Sequence, residues 1–381
     1  MYKVGIECES IEERGWGVGR IVAKLLEEIS RESELQEEFR FCLYFKSRIP
    51  DYEFLKNPIF IKKIIRQPFG LKSFSLYYYL LLPLKLYFEH LDVMFYPNYM
   101  LPLIHYGKSI VTLTGDIHYE ITKGDLPFRY KLAYKIFAGN AARNATAITT
   151  VSESAAKEIC ELFKIMPGRI FVTPLGVDAA KFQKATNYKL ETRNYLLYVA
   201  QAFPRRHLRE TILAVDKLSD EFPDLKLIAI GKDRYPSMDS GQVNIIQSLA
   251  EEINKKHNRE VIIYKEYVPE NELIALYQNA KSFIYVSLQE AFGLPPLEAL
   301  AAGSVPVVAE SELNREIYGG QAFTVKTPIA VDEIAKAIKE SLVNETKRIE
   351  IFNKAPDILA KYTWRKHTDL FLDVVRKTIK L

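Results

Sequence analysis

The stretch SFIYVSLQEAFGLPPLEALAAGSVPVVA, Ser282 to Ala309, spells out a complete strand–loop–helix–strand unit. Ser282 to Ser287 is a short β-branched and aromatic run of the kind that forms a buried strand. Leu294 to Ala302 is rich in Leu and Ala, with Pro295 and Pro296 where a first helical turn tolerates missing N–H groups. Gly303 stands where a helix ends in a left-handed cap, and Val305 to Ala309 is a second apolar strand. Parallel strands joined by a helix leave the connecting loop at the carboxyl edge of the sheet, where open α/β folds bind ligands.

The loop from Gln289 to Pro296 carries the chemistry. Phe292, Gly293 and Leu294 offer backbone N–H groups beside a helix N-terminus, a ready anion site. Glu290 lies in the loop and Glu298 in the helix, so carboxylates that accept hydroxyl hydrogen bonds flank N–H groups that suit a phosphate. Sugar hydroxyls next to a diphosphate match that mixture. An isolated pair of glutamates has a plainer reading, with Glu290 as a helix cap and Glu298 as a solvated helix residue. The surrounding sequence decides between the two.

EAFGLPPLEALAAGSVPVV closely resembles the Glu-x7-Glu signature of the retaining GT-B glycosyltransferases, in the large family four that includes many mannosyl- and rhamnosyltransferases. The match takes in both carboxylates, the FGLP loop, the Ala-rich helix and the Gly-x-Pro-Val-Val strand. The resemblance implies an α/β chain of two Rossmann-like domains facing across a cleft that holds a nucleotide sugar. It also implies a C-terminal helix crossing back to the first domain.

The length of 381 residues suits two domains. The irregular, polar run from Phe182 to Thr192 places the boundary, giving domains 1–182 and 183–356 and a returning helix at 357–381. A net charge of +4 is far from the basic stripe of a nucleic-acid binder. Cys8, Cys42 and Cys160 are scattered without metal-type spacing and read as thiols in a reducing compartment. MYKVGIECES acquires acidic residues too early for a signal peptide. FSLYYYLLLPL, Phe74 to Leu84, is too short to span a membrane and reads as a buried helix. The expected location is the cytoplasm, with peripheral contact at the inner face of the membrane.

In the first domain, strands are expected at 4–6, 39–45, 59–65, 92–96, 109–113, 147–151 and 170–172. The loop after the first strand contains Gly17, Gly19 and Arg20. Apolar Val22, Leu25, Leu26 and Ile29 then recur at helical spacing. Strand, Gly-rich loop and helix suit a phosphate, although the dinucleotide G-x-G-x-x-G spacing is missing. Relatives in the family carry a similar Gly-x-Gly-Arg loop lining the cleft, which makes Gly17 and Gly19 candidates for close approach to a substrate. Lys46, Arg48, Lys56, Lys62, Lys63, Arg66 and Lys72 are interleaved with aromatics. They read as a solvated edge or, more sharply, as a face resting on anionic lipid. Many relatives have His-Asp after the fifth strand. This chain has Gly115 where that His falls and Asp116 in the matching Asp position, with His118 as the candidate replacement on the donor. Ser152 reads as an N-cap.

In the second domain, strands are expected at 195–199, 225–230, 261–263, 282–287, 305–309 and 323–325. Arg205 and Arg206 leave the first of these just before a helix and suit a diphosphate, each offering a planar fork of donors. Relatives carry Pro-Arg-Lys-Asn-Leu here, so Arg206 replaces a Lys and His207 an Asn. Gly231 ends a strand where relatives approach the nucleotide.

The implied reaction is transfer of a hexose, mannose favoured, from a nucleotide diphosphate sugar to a hydroxyl of a glycan or lipid-linked acceptor, with retention. Arg205 and Arg206 neutralise the leaving diphosphate, Glu290 holds donor-sugar hydroxyls, Glu298 holds the ribose, and Asp116 lines the acceptor side. GDP-mannose is the favoured donor, with dTDP- and UDP-sugars on the same framework. The chain has no Asp-x-Asp metal motif, and no metal or resident cofactor is expected. Three rivals are a sugar-nucleotide epimerase of the same fold, a dinucleotide-dependent oxidoreductase, and a non-catalytic sugar-binding or scaffold protein.

Overall fold

The structure is a computed structural model. It describes residues 1–381 apart from 13–16, 69–72, 74–75, 116, 118, 120, 122–127, 185, 187, 189, 191–193 and 235–243, together with the side chains of 129, 130 and 167. The chain forms two compact units, one of residues 1–176 with 364–381 and the other of residues 177–363.

Unit 1 is built on β1 (Tyr2–Glu7), β2 (Phe39–Phe45), β3 (Phe60–Ile64), β4 (Val93–Tyr96), β5 (Ser109–Thr112), β6 (Ala147–Thr150) and β7 (Ile170–Val172). All pair in parallel, in the order β3-β2-β1-β4-β5-β6-β7. Central strands of such a sheet are covered on both faces, which is why the interior of β1 and all of β4 are apolar rather than alternating. One face packs Val4 and Ile6 against Val22, Leu25, Leu26 and Ile29 of the helix Val18–Arg31. The C-terminal helix Trp364–Lys380 joins that same core through Phe371, Leu372, Val374 and Val375. The other face holds Tyr44, Tyr77, Tyr78, Met94 and Tyr96.

The segment expected as a buried helix at 74–84 is buried on one side alone. A π-helical turn at Tyr77–Leu81 leads into the helix Leu82–Tyr87, with Tyr77, Tyr78 and Leu82 inside and Leu80 and Leu84 half in solvent. Among the described residues no helix is long and apolar enough to cross a membrane.

Unit 2 contains β8 (Tyr195–Val199), β9 (Lys226–Ile230), β10 (Ile262–Lys265), β11 (Ser282–Tyr285), β12 (Val305–Ala309) and β13 (Phe323–Val325). These are also parallel, in the order β10-β9-β8-β11-β12-β13. The helix Leu294–Ala302 connects β11 to β12, begins with the two prolines, and ends at Gly303 with φ 89°.

The units divide at 176/177 and 363/364, not at the expected 182/183 and 356/357. At the first division Asp178 caps a short helix, Ala179–Gln183, whose Phe182 lies edge-on to Tyr277 at 5.4 Å inside unit 2. At the second, the helix Glu345–Leu359 buries Ile358 and Leu359, and the Val177 N–H donates to the Tyr362 carbonyl at 2.9 Å. Buried aromatic anchors outweigh the polar look of the linker.

Candidate functional site

In each unit the strand order turns back on itself once, between β8 and β11 in unit 2 and between β1 and β4 in unit 1. Neighbouring loops diverge there, and a crevice opens at the carboxyl edge of the sheet. The sequence-expected residues of unit 2 gather at that place.

Chain leaving β8 turns through a 3-10 segment, Pro204–Arg206, and His207 in the left-handed region at φ 48° before the helix Leu208–Leu218. Arg205 and Arg206 both lie over the ring of Phe203, at 4.6 and 5.5 Å. Chain leaving β11 is tied to this turn, since the Leu288 N–H donates to the Arg205 carbonyl at 3.1 Å. Glu290 is thereby brought onto Arg206. Arg206 Nε donates to Glu290 Oε1 at 2.6 Å and Nη2 donates to Oε2 at 3.0 Å, a bidentate fork. The third arm, Nη1, donates to the Gln201 carbonyl at 3.1 Å. Ser287 Oγ donates to Glu290 Oε1 at 2.9 Å, and the buried hydroxyl of Tyr285 bonds to the same carboxylate.

Both partners are largely buried, with side chains 15% and 14% exposed. Burial pushes the Glu290 carboxyl up, but Arg206 first, then Arg205 and Ser287, outweigh it and hold the group below the usual carboxylate range. Burial works against the Arg206 cation, and Tyr285 and Glu290 more than restore it. The pair is a fixed zwitterion, unsuited to carrying protons. A carboxylate has about four lone-pair sites, and the fork, Ser287 and Tyr285 occupy that number.

Beside the pair, Phe292 is buried and lies edge-on to Tyr362 at 5.4 Å, which anchors the loop. Gly293 has φ 85° and open space where a side chain would stand. Because Pro295 and Pro296 have no N–H, the donors at this helix start are those of Phe292, Gly293 and Leu294. Among the described residues none of the three is taken up by another group. Glu298 points inward from the helix, and Tyr277 donates its hydroxyl to Oε2 at 3.3 Å.

Gly231 has a reason of its own. A Cβ there would stand 1.9 Å from the Ala200 carbonyl oxygen, and φ is 138°. Its N–H donates to Lys265 O and its carbonyl accepts from Tyr264 at 2.8 Å. The glycine lets the β9 exit press against the β8 exit, which supports the arginine turn.

In unit 1, Gly17 begins the helix Val18–Arg31 at φ 72° with open space beside it. Gly19 is required for packing, since a Cβ would meet the Ser10 carbonyl oxygen at 2.3 Å. Gly115 faces the helix Glu153–Phe163, with Glu158 Oε2 2.6 Å from where a Cβ would be. A side chain at this position would have to displace the Glu158 carboxylate. Asp116 and His118 lie outside the described residues.

Sequence reading passed over Glu7, the last residue of β1 at the unit 1 switch point. It is 1% exposed, accepts from the Glu9 N–H at 2.7 Å, and burial pushes its carboxyl up to about 8, with Glu9 and Glu12 adding to the rise. Its signal was an acid closing an apolar strand, which on its own reads as a solvent-facing end.

Residues 180–357 match the family model described as "Glycosyl transferases group 1". The O-antigen chain mannosyltransferase B of Escherichia coli is 31% identical over 214 residues, 54% of this chain and 54% of that protein. An MMP alpha-(1->4)-mannosyltransferase of Mycolicibacterium hassiacum is 27% identical over 201 residues, 52% of this chain and 45% of that protein. This chain thus spans about half the length of these curated relatives, or less. Among solved structures, WaaG, a glycosyltransferase involved in lipopolysaccharide biosynthesis, superposes with a TM-score of 0.72 at 16% identity, covering 97% of this chain and 99% of WaaG. Anabaena HepE in complex with UDP superposes at 0.70 and 13% identity, covering 99% and 100%. The two parallel-sheet units thus form the GT-B fold, and within the second of them residues 180–357 resemble the group 1 glycosyltransferases.

Proposed function

We propose that this chain is a retaining hexosyltransferase, taking mannose for preference from a nucleotide diphosphate sugar to a hydroxyl of a glycan or lipid-linked acceptor in polysaccharide synthesis. The observation that carries the reading is the meeting, at the unit 2 switch point, of two arginines from the β8 exit with Glu290 from the β11 exit. The mannosyltransferase relatives support the sugar, and HepE, solved with UDP, supports a nucleotide as part of the donor.

Departure of the nucleoside diphosphate breaks the bond from C1 of the sugar to the β-phosphate oxygen. The acceptor oxygen bonds to C1 on the same face, and its proton leaves with the diphosphate. Negative charge therefore grows on the leaving group, and fixed donors aimed at it lower the barrier. Arg205 supplies a cation to that charge alongside Arg206, whose fork is engaged by Glu290. Arg206 contributes field and holds Glu290 at a set orientation. The N–H groups of Phe292, Gly293 and Leu294 add donors at a helix start. Glu290 positions hydroxyls of the donor sugar by exchanging one of its present hydrogen bonds, and Glu298, beside Tyr277, holds the ribose. By the family resemblance alone, Asp116 is assigned to the acceptor side and His118 to the donor sugar.

GDP-mannose is the favoured donor, with UDP- and dTDP-sugars as the competing set. Melting the protein with GDP, UDP and dTDP in turn tests this, since a ligand at 100 times its dissociation constant adds roughly 2.7 kcal/mol. GDP is expected to give the largest shift. If none of the three shifts the transition, the donor-site reading fails.

A further inference from the structure

Unit 1 carries an apolar surface that the proposed transfer does not use. On the segment Tyr77–Tyr87 and the residue after it, Leu80, Leu84 and Phe88 recur at intervals of four and point outward, Phe88 being 73% exposed. On the helix Phe128–Asn144, Phe128, Leu132 and Ile136 repeat the same spacing, Phe128 being 78% exposed. A stripe at i, i+4 and i+8 is the pattern of a buried helix face, here turned to solvent twice.

The two stripes are neighbours. Tyr79 stacks on Phe137 at 5.7 Å, and Tyr99 stacks on Tyr134 at 4.6 Å. Between them the loop at 99–107 presents Leu103 and Ile104, both more than half exposed, and its Tyr106 packs on Tyr87 at 4.8 Å. Contiguous exposed apolar surface of this kind marks an interaction site.

Charge selects the partner. From Val93 to Gly115 and from Phe128 to Ser152 the sequence contains no Asp or Glu, while Lys131, Lys135 and Arg143 lie on the second helix. Lys85 stands beside the first stripe and meets Glu89 at 3.1 Å. Such a face repels a second copy of itself, and its lysines extend their stems over apolar surface while keeping the ammonium in a headgroup layer. The basic residues at 46–63 that suggested a lipid face in the sequence are engaged elsewhere. Lys46 pairs with Glu9, Lys56 with Glu53 and Lys63 with Glu89, and Lys62 donates to the Leu55 carbonyl.

We infer that the face formed by Leu80, Leu84 and Phe88, Leu103 and Ile104, and Leu132 and Ile136 docks unit 1 onto an anionic lipid bilayer. The apolar side chains enter the headgroup boundary and Lys131 and Lys135 contact the lipid phosphates.

Co-sedimentation of the full chain with vesicles tests this, using phosphatidylcholine alone and phosphatidylcholine mixed with phosphatidylglycerol. The chain is expected to bind the mixed vesicles at least ~10-fold better than the neutral ones, with binding weakened by salt. Lys131→Gln and Lys135→Gln should each lower partitioning about five-fold. Leu84→Ser with Leu132→Ser should abolish it. These positions are already in solvent, so melting and nucleoside diphosphate binding should stay at wild-type values in every variant. Equal binding to both vesicle types, no binding at all, or variants that bind like wild type would each overturn the inference. Self-association that the serine variants abolish, in a chain that ignores vesicles, would give the face to a second copy instead.

Discussion

Arg206 and Glu290 are 84 positions apart, and the bond between them is the most informative contact in unit 2. A buried ion pair of this kind is retained for placement more than for stability, since desolvation takes back most of what the attraction supplies. Glu290, held below its usual range, contributes stability above the unfolded-state pKa and loses it as pH falls through the lowered folded value. Glu7 behaves in the opposite way. Its folded pKa of about 8 lies above the unfolded value, so the native state holds a proton that the unfolded chain has released. From pH near 5 upward, burial of Glu7 therefore costs stability at about 1.4 kcal/mol per pH unit, and the cost levels off above pH 8. Denaturant unfolding of Glu7→Gln should match wild type at low pH and become progressively more stable by comparison up to pH 8. A gap that does not change with pH would mean that Glu7 is ionised in the fold. Arg205, Arg206 and Glu290 were legible in the sequence because each sits at a strand exit next to a helix start. Their pairing was not, because nothing local says that the β8 and β11 exits adjoin. That Glu7 would be a neutral acid was illegible for the same reason, since the tyrosines around it come from β4 and residues 77–78.

The elements themselves were largely readable. All thirteen described strands fall where β-branched and aromatic runs placed them, because parallel strands covered on both faces leave an uninterrupted apolar signal. The helix Ile245–His257 went unread, although Ile246, Ala250 and Ile253 have the spacing of a buried helical stripe. Its strongly charged outer face, Glu251 to Lys256, hid that stripe. Glycines separate by cause at this scale. Gly231→Ala puts a methyl group against the Ala200 carbonyl at φ 138° and should cost about 3 kcal/mol or more, with weaker nucleotide binding as the arginine turn shifts. Gly293→Ala meets nothing and should cost only about 1–2 kcal/mol, for its left-handed backbone. Melting both variants under one set of conditions checks the order. If Gly231→Ala is the milder, the tie between the β8 and β9 exits does not support the site.

At the scale of the whole molecule, the chain ends by returning to its first unit. Phe371 lies 4.6 Å from Phe95 in the core of unit 1, and Arg376 forks onto Glu38 at 2.9 and 2.8 Å. The Trp364–Lys380 helix is therefore part of the first fold, despite coming after the second in sequence. Phe371→Ala should cost about 3–5 kcal/mol in unit 1 while leaving nucleotide affinity at unit 2 unchanged, read by melting and titration together. This return was expected from family resemblance. Residue patterning alone gave the helix but not its destination, because an amphipathic helix does not name its partner. The central claim is that unit 2 holds a nucleoside diphosphate through Arg205. Titration calorimetry of GDP, UDP and dTDP against wild type and Arg205→Ala tests it most directly. One of the three should bind wild type and bind Arg205→Ala at least ~10-fold more weakly, the loss expected for a charge-assisted bond to phosphate. Equal affinity for both proteins, or no binding to wild type by any of the three, would contradict it.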